Sequence, residues 1–287
     1  MQDRKAELRS TIRDTQSIPT LPGIIAKLSA LAENNKVSAQ EMGRIVAADQ
    51  ILSAKVLRLV NSPFYGFSGK VATVANALIL LGVNVVKSLA LTSSIFEMME
   101  KHVVGLWEHS LGAGVAASII CRQLKLPEAD ETSTAALLHD IGKVIIKINL
   151  RNDYEGLLAI IGEKDCTVLE AEREMLGTDH AEIGEWLART WYLHEKLIEP
   201  IAFHHHVERA VQQPVKTAVV HVADVLIKAS GFGFSGDDLV PRIQPSASRR
   251  LDLTEGALAT IVEELEDKLV EVKNFSLEIQ SADAAQA

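Results

Sequence analysis

The sequence predicts an all-α protein in which an N-terminal helical lobe packs on a second helical bundle. Apolar residues recur at spacings of three and four along most of the chain, which is the period of a helix with one buried face. The alternation typical of a half-buried strand is hard to find. All nine histidines follow residue 100, so we expect a first lobe at 1–100 and a chemically distinct lobe at 101–287.

The first lobe is predicted to be a series of helices with recognisable ends. Ser38 followed by Glu41 has the spacing of a capping box, in which each side chain accepts from the other residue's backbone N–H. Gly82 stands where a helix would end, because glycine adopts the left-handed C-terminal cap conformation at little cost. The predicted helices lie near 21–32, 38–48, 50–60, 73–81 and 84–100.

The second lobe repeats these signals. Thr167 with Glu170 is another capping-box pattern, and Gly177 marks a helix end. Residues 232–253 are rich in glycine, serine and proline, so we predict a loop there. The predicted helices lie near 106–125, 132–148, 152–163, 168–176, 179–191, 194–206, 215–230 and 254–273.

Composition and charge argue against several classes of function. Apolar residues make up 47% of the 287 residues, enough to bury one or two sizeable cores. The net charge is −9 and the pI is near 5.5. Nucleic-acid affinity depends on lysines and arginines that neutralise phosphates, so this acidic chain is not expected to bind nucleic acid.

Neither a membrane span nor a secretory signal is predicted. Residues 1–16 are charged and lack the apolar stretch of a signal peptide. The most apolar run, 71–95, is interrupted by polar residues and predicts two buried helices. Cys121 and Cys166 are far apart and outside any C-x-x-C pattern, which indicates reduced thiols rather than metal ligands. We therefore expect a cytoplasmic protein that does not associate with a membrane.

Six histidines and two aspartates of the second lobe form an ordered series that indicates a two-metal site on helices: His109, His139-Asp140, His180, His204-His205-His206 and Asp224. The ligands must come from several helices, because neighbouring positions on one helix cannot surround an ion. Asp224 lies on an otherwise apolar helix face, where a carboxylate without a cation or strong donors is costly. The predicted ligands are His109, His139, Asp140, His180, His204, His205 and Asp224.

The pair His139-Asp140 suggests how two ions could be held together. On a helix these side chains would project about 100° apart, so His139 could serve one ion while Asp140 bridges to a second. Two cations ~3.5–4 Å apart lower the pKa of a shared water to near neutrality, and the resulting hydroxide attacks phosphorus. Mixed imidazole and carboxylate ligands predict two divalent transition-metal ions, Fe, Mn, Ni or Zn.

Several residues have two interpretations. His102, His194 and His221 are expected to be hydrogen-bonded core residues, although His221 could instead donate to Asp224. Within His204-His205-His206 the ligand could be shifted by one position, and we expect His206 to be the solvated member. Lys143 could bind a phosphoryl oxygen or could be an ordinary exposed helix lysine.

Two groups of motifs resemble known families. The order of the ligands, with His-Asp-Ile-Gly-Lys at 139–143, resembles the HD superfamily of metal-dependent phosphohydrolases and its HD-GYP branch. Leu21-Pro22-Gly23 and the segment 52–66, which contains Val-Asn-Ser-Pro-Phe-Tyr, are similar to the HDOD family of bacterial signalling proteins. This resemblance runs from about 15 to 215 and implies an N-terminal lobe abutting an HD-like bundle.

The resemblance also implies a role in bacterial signal transduction. Many HDOD members resemble HD domains that have lost ligands, whereas this chain keeps every position of the two-metal set. It departs from HD-GYP enzymes because Asp-Gly-x-Gly-Tyr-Pro does not follow His205, which argues against cyclic di-GMP hydrolysis. Gly105 replaces the glutamate that supports a third metal in some HD-GYP members, so at most two ions are expected.

Two functions are therefore predicted. In the first, the protein is a regulatory module whose metal site fixes the bundle, and it binds a signalling protein or a nucleotide. In the second, it is a metal-dependent phosphodiesterase acting on a nucleotide or cyclic nucleotide. Asp140 and Lys143 would then be the catalytic residues, with Lys143 positioning the phosphate.

Overall fold

The computed structural model describes residues 103–284 almost completely and the residues before them only in part. It covers residues 5, 8–10, 53, 56–57, 59–61, 71–82, 85–86, 103–191 and 193–284, with side-chain surroundings up to residue 274. The helices predicted at 21–32 and 38–48, with their Ser38 cap, lie outside the described residues. His102 and most of the predicted helix at 84–100 also lie outside them.

Ten α-helices and one short 3₁₀-helix follow one another after residue 105. We number the helices in chain order. They are α1 (Leu106–Gln123), α2 (Ala129–Leu138), α3 (Ile141–Asn149), α4 (Arg151–Lys164), α5 (Val168–Leu176), α6 (His180–Thr190), α7 (Glu195–Phe203), the 3₁₀-helix Val207–Arg209, α8 (Pro214–Ser230), α9 (Pro245–Arg250) and α10 (Glu255–Ala284).

The all-α class predicted from the sequence is confirmed, since no strand occurs in the part of the chain that the structure describes. Helices α1 and α8 form the centre of the bundle. Both are buried along nearly their whole length, and they pack on each other and on α2. Helix α10 lies along α1 through Ile261, Leu265 and Val272, which are buried at successive turns.

Local sequence signals explain several helix ends. Thr167 caps α5 through the predicted capping box. Its hydroxyl accepts from the backbone N–H of Glu170, and the Glu170 carboxylate accepts from the backbone N–H of Thr167. Gly177 ends α5 in the left-handed conformation at φ 69°, also as predicted. Asp179 caps α6 by accepting from the backbone N–H of Glu182.

Two predicted elements were wrong. The single helix expected at 132–148 is two helices, α2 and α3, which are separated by a turn at His139-Asp140. The predicted loop at 232–253 contains α9, which starts with proline at its first position, where the missing N–H costs nothing. The last helix, predicted to end near 273, continues to Ala284.

The described residues before position 87 share one apolar core with the bundle. Residues 74–82 are helical and end at Gly82, whose φ of 81° matches the predicted cap. Asn61 of the Val-Asn-Ser-Pro motif binds both backbone groups of Val71, with its amide N donating to the carbonyl at 2.8 Å and its oxygen accepting at 3.0 Å. The motif residue Asn61 thus closes the connection between 61 and 71.

None of the described helices combines the length and the apolar composition needed to cross a bilayer.

Candidate metal centre

The seven predicted ligand residues come from five parts of the bundle. His109 lies in the first turn of α1, and His139-Asp140 form the turn between α2 and α3. His180 is the first residue of α6. His204 and His205 follow the end of α7, and Asp224 lies in the middle of α8. The helices bring all of them to one interior cluster, in which every side chain is buried except the half-buried His205.

The cluster divides into two groups, and either group could hold a metal ion. Within each group, all ligand atoms lie within 4.8 Å of one another. The first group consists of His109, His139 and Asp224. The Nε2 atoms of His109 and His139 lie 3.1 and 3.6 Å from Asp224 Oδ1. The second group consists of Asp140, His180, His204 and His205.

Asp140 lies between the two groups and presents one oxygen to each. Its Oδ2 atom is 3.6 Å from His109 Nε2 and 3.4 Å from His139 Nε2. Its Oδ1 atom is 3.2 Å from His180 Nε2 and 3.9 Å from His204 Nε2. A carboxylate in this position can bridge two cations, which is the role that the sequence predicted for it.

Four polar atoms of the cluster are buried without a hydrogen-bond partner. They are the Nε2 atoms of His109, His139 and His204 and the Oδ1 atom of Asp140. Buried polar atoms are nearly always paired, and an unpaired one costs about 1–3 kcal/mol. Nitrogen and oxygen lone pairs that converge in this way match the donor set of a transition-metal centre.

Hydrogen bonds on the far side of the rings orient these nitrogens. His139 Nδ1 donates to the carbonyl of Ala136 at 2.6 Å, and His204 Nδ1 donates to the carbonyl of Ile201 at 2.8 Å. A carbonyl can only accept, so Nδ1 carries a proton in each ring. Nε2 is therefore the nitrogen of each ring that faces the cluster and is left to bind a metal, as in metal-binding histidines.

Burial and neighbouring charges divide the histidines into two kinds. Burial lowers the pKa of His109, and it lowers the pKa of His205 well below its ordinary value. For His204, burial and the neighbouring His139 and His180 lower the pKa to about 3. These three imidazoles are neutral at pH 7 and keep the lone pair that a metal ion requires.

The other two histidines face carboxylates. Burial lowers the pKa of His139, but Asp140 and Asp224 outweigh it and raise the pKa to about 10. Burial likewise opposes the charge of His180, while Glu172 and Asp140 raise its pKa to about 9. The acids are buried too, yet contacts with the imidazoles hold the pKa values of Asp140 and Asp224 well below the ordinary range.

Lys143 belongs to the cluster and is not an ordinary exposed helix lysine. Only 6% of it is exposed, and its Nζ atom donates to Asp140 Oδ2 at 2.6 Å. Burial disfavours the ammonium, but the carboxylates of Asp140 and Asp224 raise its pKa. Lys143 is therefore a permanent positive charge one turn after the central carboxylate.

The sequence analysis missed Glu172, which supports His180. This buried residue of α5 accepts through Oε2 from the backbone N–H of His180 at 2.8 Å and from its Nδ1 at 2.6 Å. Position 172 lies on the apolar stripe of α5, together with Val168, Ala171 and Leu176. A carboxylate on such a stripe was the available signal, by the same reasoning that selected Asp224.

The remaining histidines lie outside the two groups. His206 contacts Arg173 and Glu208 at the surface, so its predicted solvated position agrees with the geometry. His221 is buried and bonds the carbonyl of His204 through Nδ1 at 2.8 Å, as expected for a core histidine. His194 was wrongly expected in the core, since it is an exposed N-cap of α7 that accepts from Lys196.

Comparison with known proteins places the chain in a family. A model of the HDOD domain matches residues 18–207. The chain belongs to the HDOD family. The matched region of this HDOD protein contains all of the cluster except Asp224, which lies beyond it on α8.

Solved structures support the same fold. A crystal structure of an HDOD domain protein of unknown function from Geobacter sulfurreducens has 27% identity and a TM-score of 0.72, covering 95% of this chain and 97% of that one. A candidate phosphohydrolase from Shewanella amazonensis SB2B has 21% identity and a TM-score of 0.66, with coverage of 93% and 97%. A candidate signal transduction protein from Marinobacter aquaeolei VT8 has 17% identity and a TM-score of 0.73, with coverage of 95% and 64%.

A sequence relative is longer than this chain. An uncharacterized protein of Treponema pallidum (strain Nichols) is 24% identical over 222 residues, which is 74% of this chain. The chain spans only 42% of the length of that relative.

Proposed function

We propose that this HDOD protein acts in signal transduction and holds two divalent transition-metal ions in its helical bundle. His109, His139 and Asp224 would hold one ion, and His180, His204 and His205 would hold the other. Asp140 would bridge the pair, because its two oxygens face the two groups separately.

The convergence of buried nitrogen and oxygen atoms that make no hydrogen bond is the observation that carries this proposal. A protein that did not bind a cation there would leave three imidazole nitrogens and a carboxylate oxygen without partners in its interior. The donor set favours Fe, Mn, Ni or Zn over Mg, which prefers oxygen ligands. Bound metal would also contribute folding free energy, and a regulatory module could use this stabilisation without any catalysis.

Phosphoester hydrolysis is the second candidate function. Two adjacent divalent ions supply Lewis acidity and a water with a pKa near neutrality. The complete ligand set and Lys143 favour this candidate, since Lys143 places a buried positive charge beside the bridging carboxylate. In this function Asp140 would contact both ions, and Lys143 would donate hydrogen bonds both to Asp140 and to a phosphoryl oxygen of a nucleotide substrate.

The partner we propose is a signalling protein or a nucleotide, in keeping with the family. The net charge of −9 argues against nucleic acid as a partner.

Metal content tests the first proposal directly. Protein purified without a polyhistidine tag should contain about two transition-metal ions per chain, and anomalous scattering should place one ion within each group. Asp224→Asn keeps the side-chain shape but removes the charge, so it should lose metal. Asp238→Asn, at an exposed position, is the matched control and should keep it. Wild-type protein that stays metal-free after incubation with Mn, Fe, Ni and Zn salts would contradict the proposal.

Turnover separates the two functions. A phosphodiesterase should hydrolyse bis(p-nitrophenyl) phosphate, and Asp140→Ala should abolish the reaction. A metal-loaded wild type that leaves this ester and a panel of nucleotides and cyclic nucleotides intact would favour the regulatory function alone.

A further inference from the structure

The segment 232–253, between α8 and α10, crosses several of the elements that carry the candidate ligands. We call it the C-terminal strap. It follows the region matched by the family model, which ends at residue 207. The backbone N–H of Phe234 donates to the carbonyl of Gly105 at 2.9 Å, immediately before α1 and His109. Asp237 accepts from the backbone N–H of Val168 at 2.9 Å, at the start of the helix that carries Glu172.

Gln244 makes the most direct connection between the strap and the cluster. Its side-chain amide N donates to the carbonyl of His205 at 2.7 Å, and its side-chain oxygen accepts from the backbone N–H of Val207 at 3.1 Å. Its backbone N–H donates to Nε2 of His221 at 3.0 Å. The side chain of Gln244 thus bonds both a carbonyl and an N–H group of the segment that follows α7.

His221 completes this connection from the opposite helix. Its Nδ1 atom donates to the carbonyl of His204, while its Nε2 atom accepts from Gln244. The carbonyl accepts only and the backbone N–H donates only, so the ring is fixed as one neutral tautomer. The carbonyls of both His204 and His205 are therefore bonded by groups outside their own helix.

We propose that Gln244 is a positioning residue for the ion held by Asp140, His180, His204 and His205. This inference rests on the proposed metal centre. His204 and His205 lie beyond the last turn of α7, where regular helix hydrogen bonds no longer fix the backbone. The strap supplies that restraint, so Gln244 sets where the two Nε2 atoms lie. Groups that orient metal ligands typically change metal affinity by about 10–100-fold.

The position of Gln244 makes the expected effect selective. Its side-chain contacts reach the His205 and Val207 backbone on the His204-His205 side of the cluster, whereas His109, His139 and Asp224 are positioned by α1, the α2–α3 turn and α8. Loss of the glutamine side chain should weaken one ion and leave the other in place. A residue that only stabilised the fold would weaken both ions together.

The inference is tested by titrating the metal-free full-length protein with Mn²⁺ or Zn²⁺. Isothermal calorimetry records the affinities, and metal analysis gives the number of ions bound. For Gln244→Ala we expect one site to weaken by about tenfold while the second site keeps its wild-type affinity. Gln212→Ala, at an exposed glutamine, is the matched control and should leave both sites unchanged. Gln244→Glu keeps an acceptor for Val207 but places an oxygen against the His205 carbonyl, so it should also weaken one site.

Thermal unfolding in chelator shows that each variant is folded, and Gln244→Glu replaces the alanine variant if that one does not fold. Two wild-type affinities in both folded Gln244 variants would overturn the inference and leave the metal centre standing. Equal weakening of both sites would assign Gln244 a general structural role and also overturn it. Failure of the wild type to bind either metal would overturn the proposed centre itself.

Discussion

Gly142 shows how closely two backbones approach beside the candidate centre. It lies in the first turn of α3, two residues after Asp140, and faces the start of α6. A Cβ atom at this position would lie 2.0 Å from the carbonyl oxygen of His180 and 2.8 Å from its carbonyl carbon. No side-chain movement can relieve a contact with backbone atoms. The glycine therefore permits the distance at which Asp140 and His180 meet.

Gly142→Ala is expected to destabilise the protein and separate Asp140 from His180. Overpacking of this kind costs typically 1–3 kcal/mol, and we expect about 3 kcal/mol because the obstacle is backbone. Gly162→Ala is the control, since a Cβ atom there meets nothing within 4 Å and the residue is inside α4. That variant should gain about 0.4–1 kcal/mol. Chemical denaturation measures both, and equal effects of the two substitutions would refute the steric argument.

Glu172 is expected to tune His180 through its two hydrogen bonds. Glu172→Gln keeps the size of the side chain but removes the charge that faces Nδ1, so His180 becomes a weaker ligand. Metal affinity should fall by about 10–100-fold. Glu174→Gln is the control, because Glu174 is half exposed and its direct ion pair with Lys164 lies at the surface, where such pairs contribute little. Chelator competition measures the affinities, and an unchanged value for Glu172→Gln would show that the carboxylate is not needed.

At the level of residues, the sequence predicted which imidazoles and carboxylates come together, but it did not predict the groups that support them. Imidazoles and carboxylates in one series are informative because each is costly to bury alone. Glu172 could have been found on the apolar stripe of α5 by that same criterion. Gln244 and Gly142 could not, because their roles depend on which distant backbone groups lie beside them, and neither residue type is unusual at its position.

At the level of elements, the cap of α5 links helix stability to the site. Thr167→Ala removes the capping hydroxyl and should lower the free energy of unfolding by about 1 kcal/mol. It should also weaken metal binding, since α5 carries Glu172. Thr254→Ala is the control, because Thr254 accepts from the N–H of Ala257 at the start of α10, away from the cluster. It should lose similar stability in urea denaturation without any change in metal affinity. Weaker metal binding in both variants would mean that stability alone sets the affinity.

Helix periodicity predicted most elements but not the break that matters for the site. The stretch 132–148 has continuous helical periodicity, yet the chain turns at His139-Asp140 so that both side chains face the cluster. A short turn between two helices leaves no gap in an apolar pattern. In 232–253 the opposite error arose, because α9 is only 6 residues long and its sequence is dominated by loop-type residues.

At the level of the whole molecule, the candidate centre joins parts of the chain that are far apart in sequence. Its candidate ligands lie on α1, the α2–α3 turn, α6, the end of α7 and α8. These elements are otherwise held together by the shared apolar core and by a few hydrogen bonds, such as that from His221 to the carbonyl of His204. A cation bound to all of them opposes every motion that separates the helices. Removal of the cation also leaves Asp140 and Asp224 as buried carboxylates beside incompletely paired imidazoles.

Removal of metal should therefore lower the melting temperature of the entire bundle. A ligand at 100 times its Kd stabilises the native state by about 2.7 kcal/mol, which corresponds to roughly 5–10 °C for a domain of this size. Scanning calorimetry with and without a chelator measures the shift. Asp224→Asn should show a smaller shift than the wild type, because it no longer holds the ion of the first group tightly and only the second ion remains to be removed. A wild type that carries metal but melts identically after chelation would show that the ions do not tie the helices together.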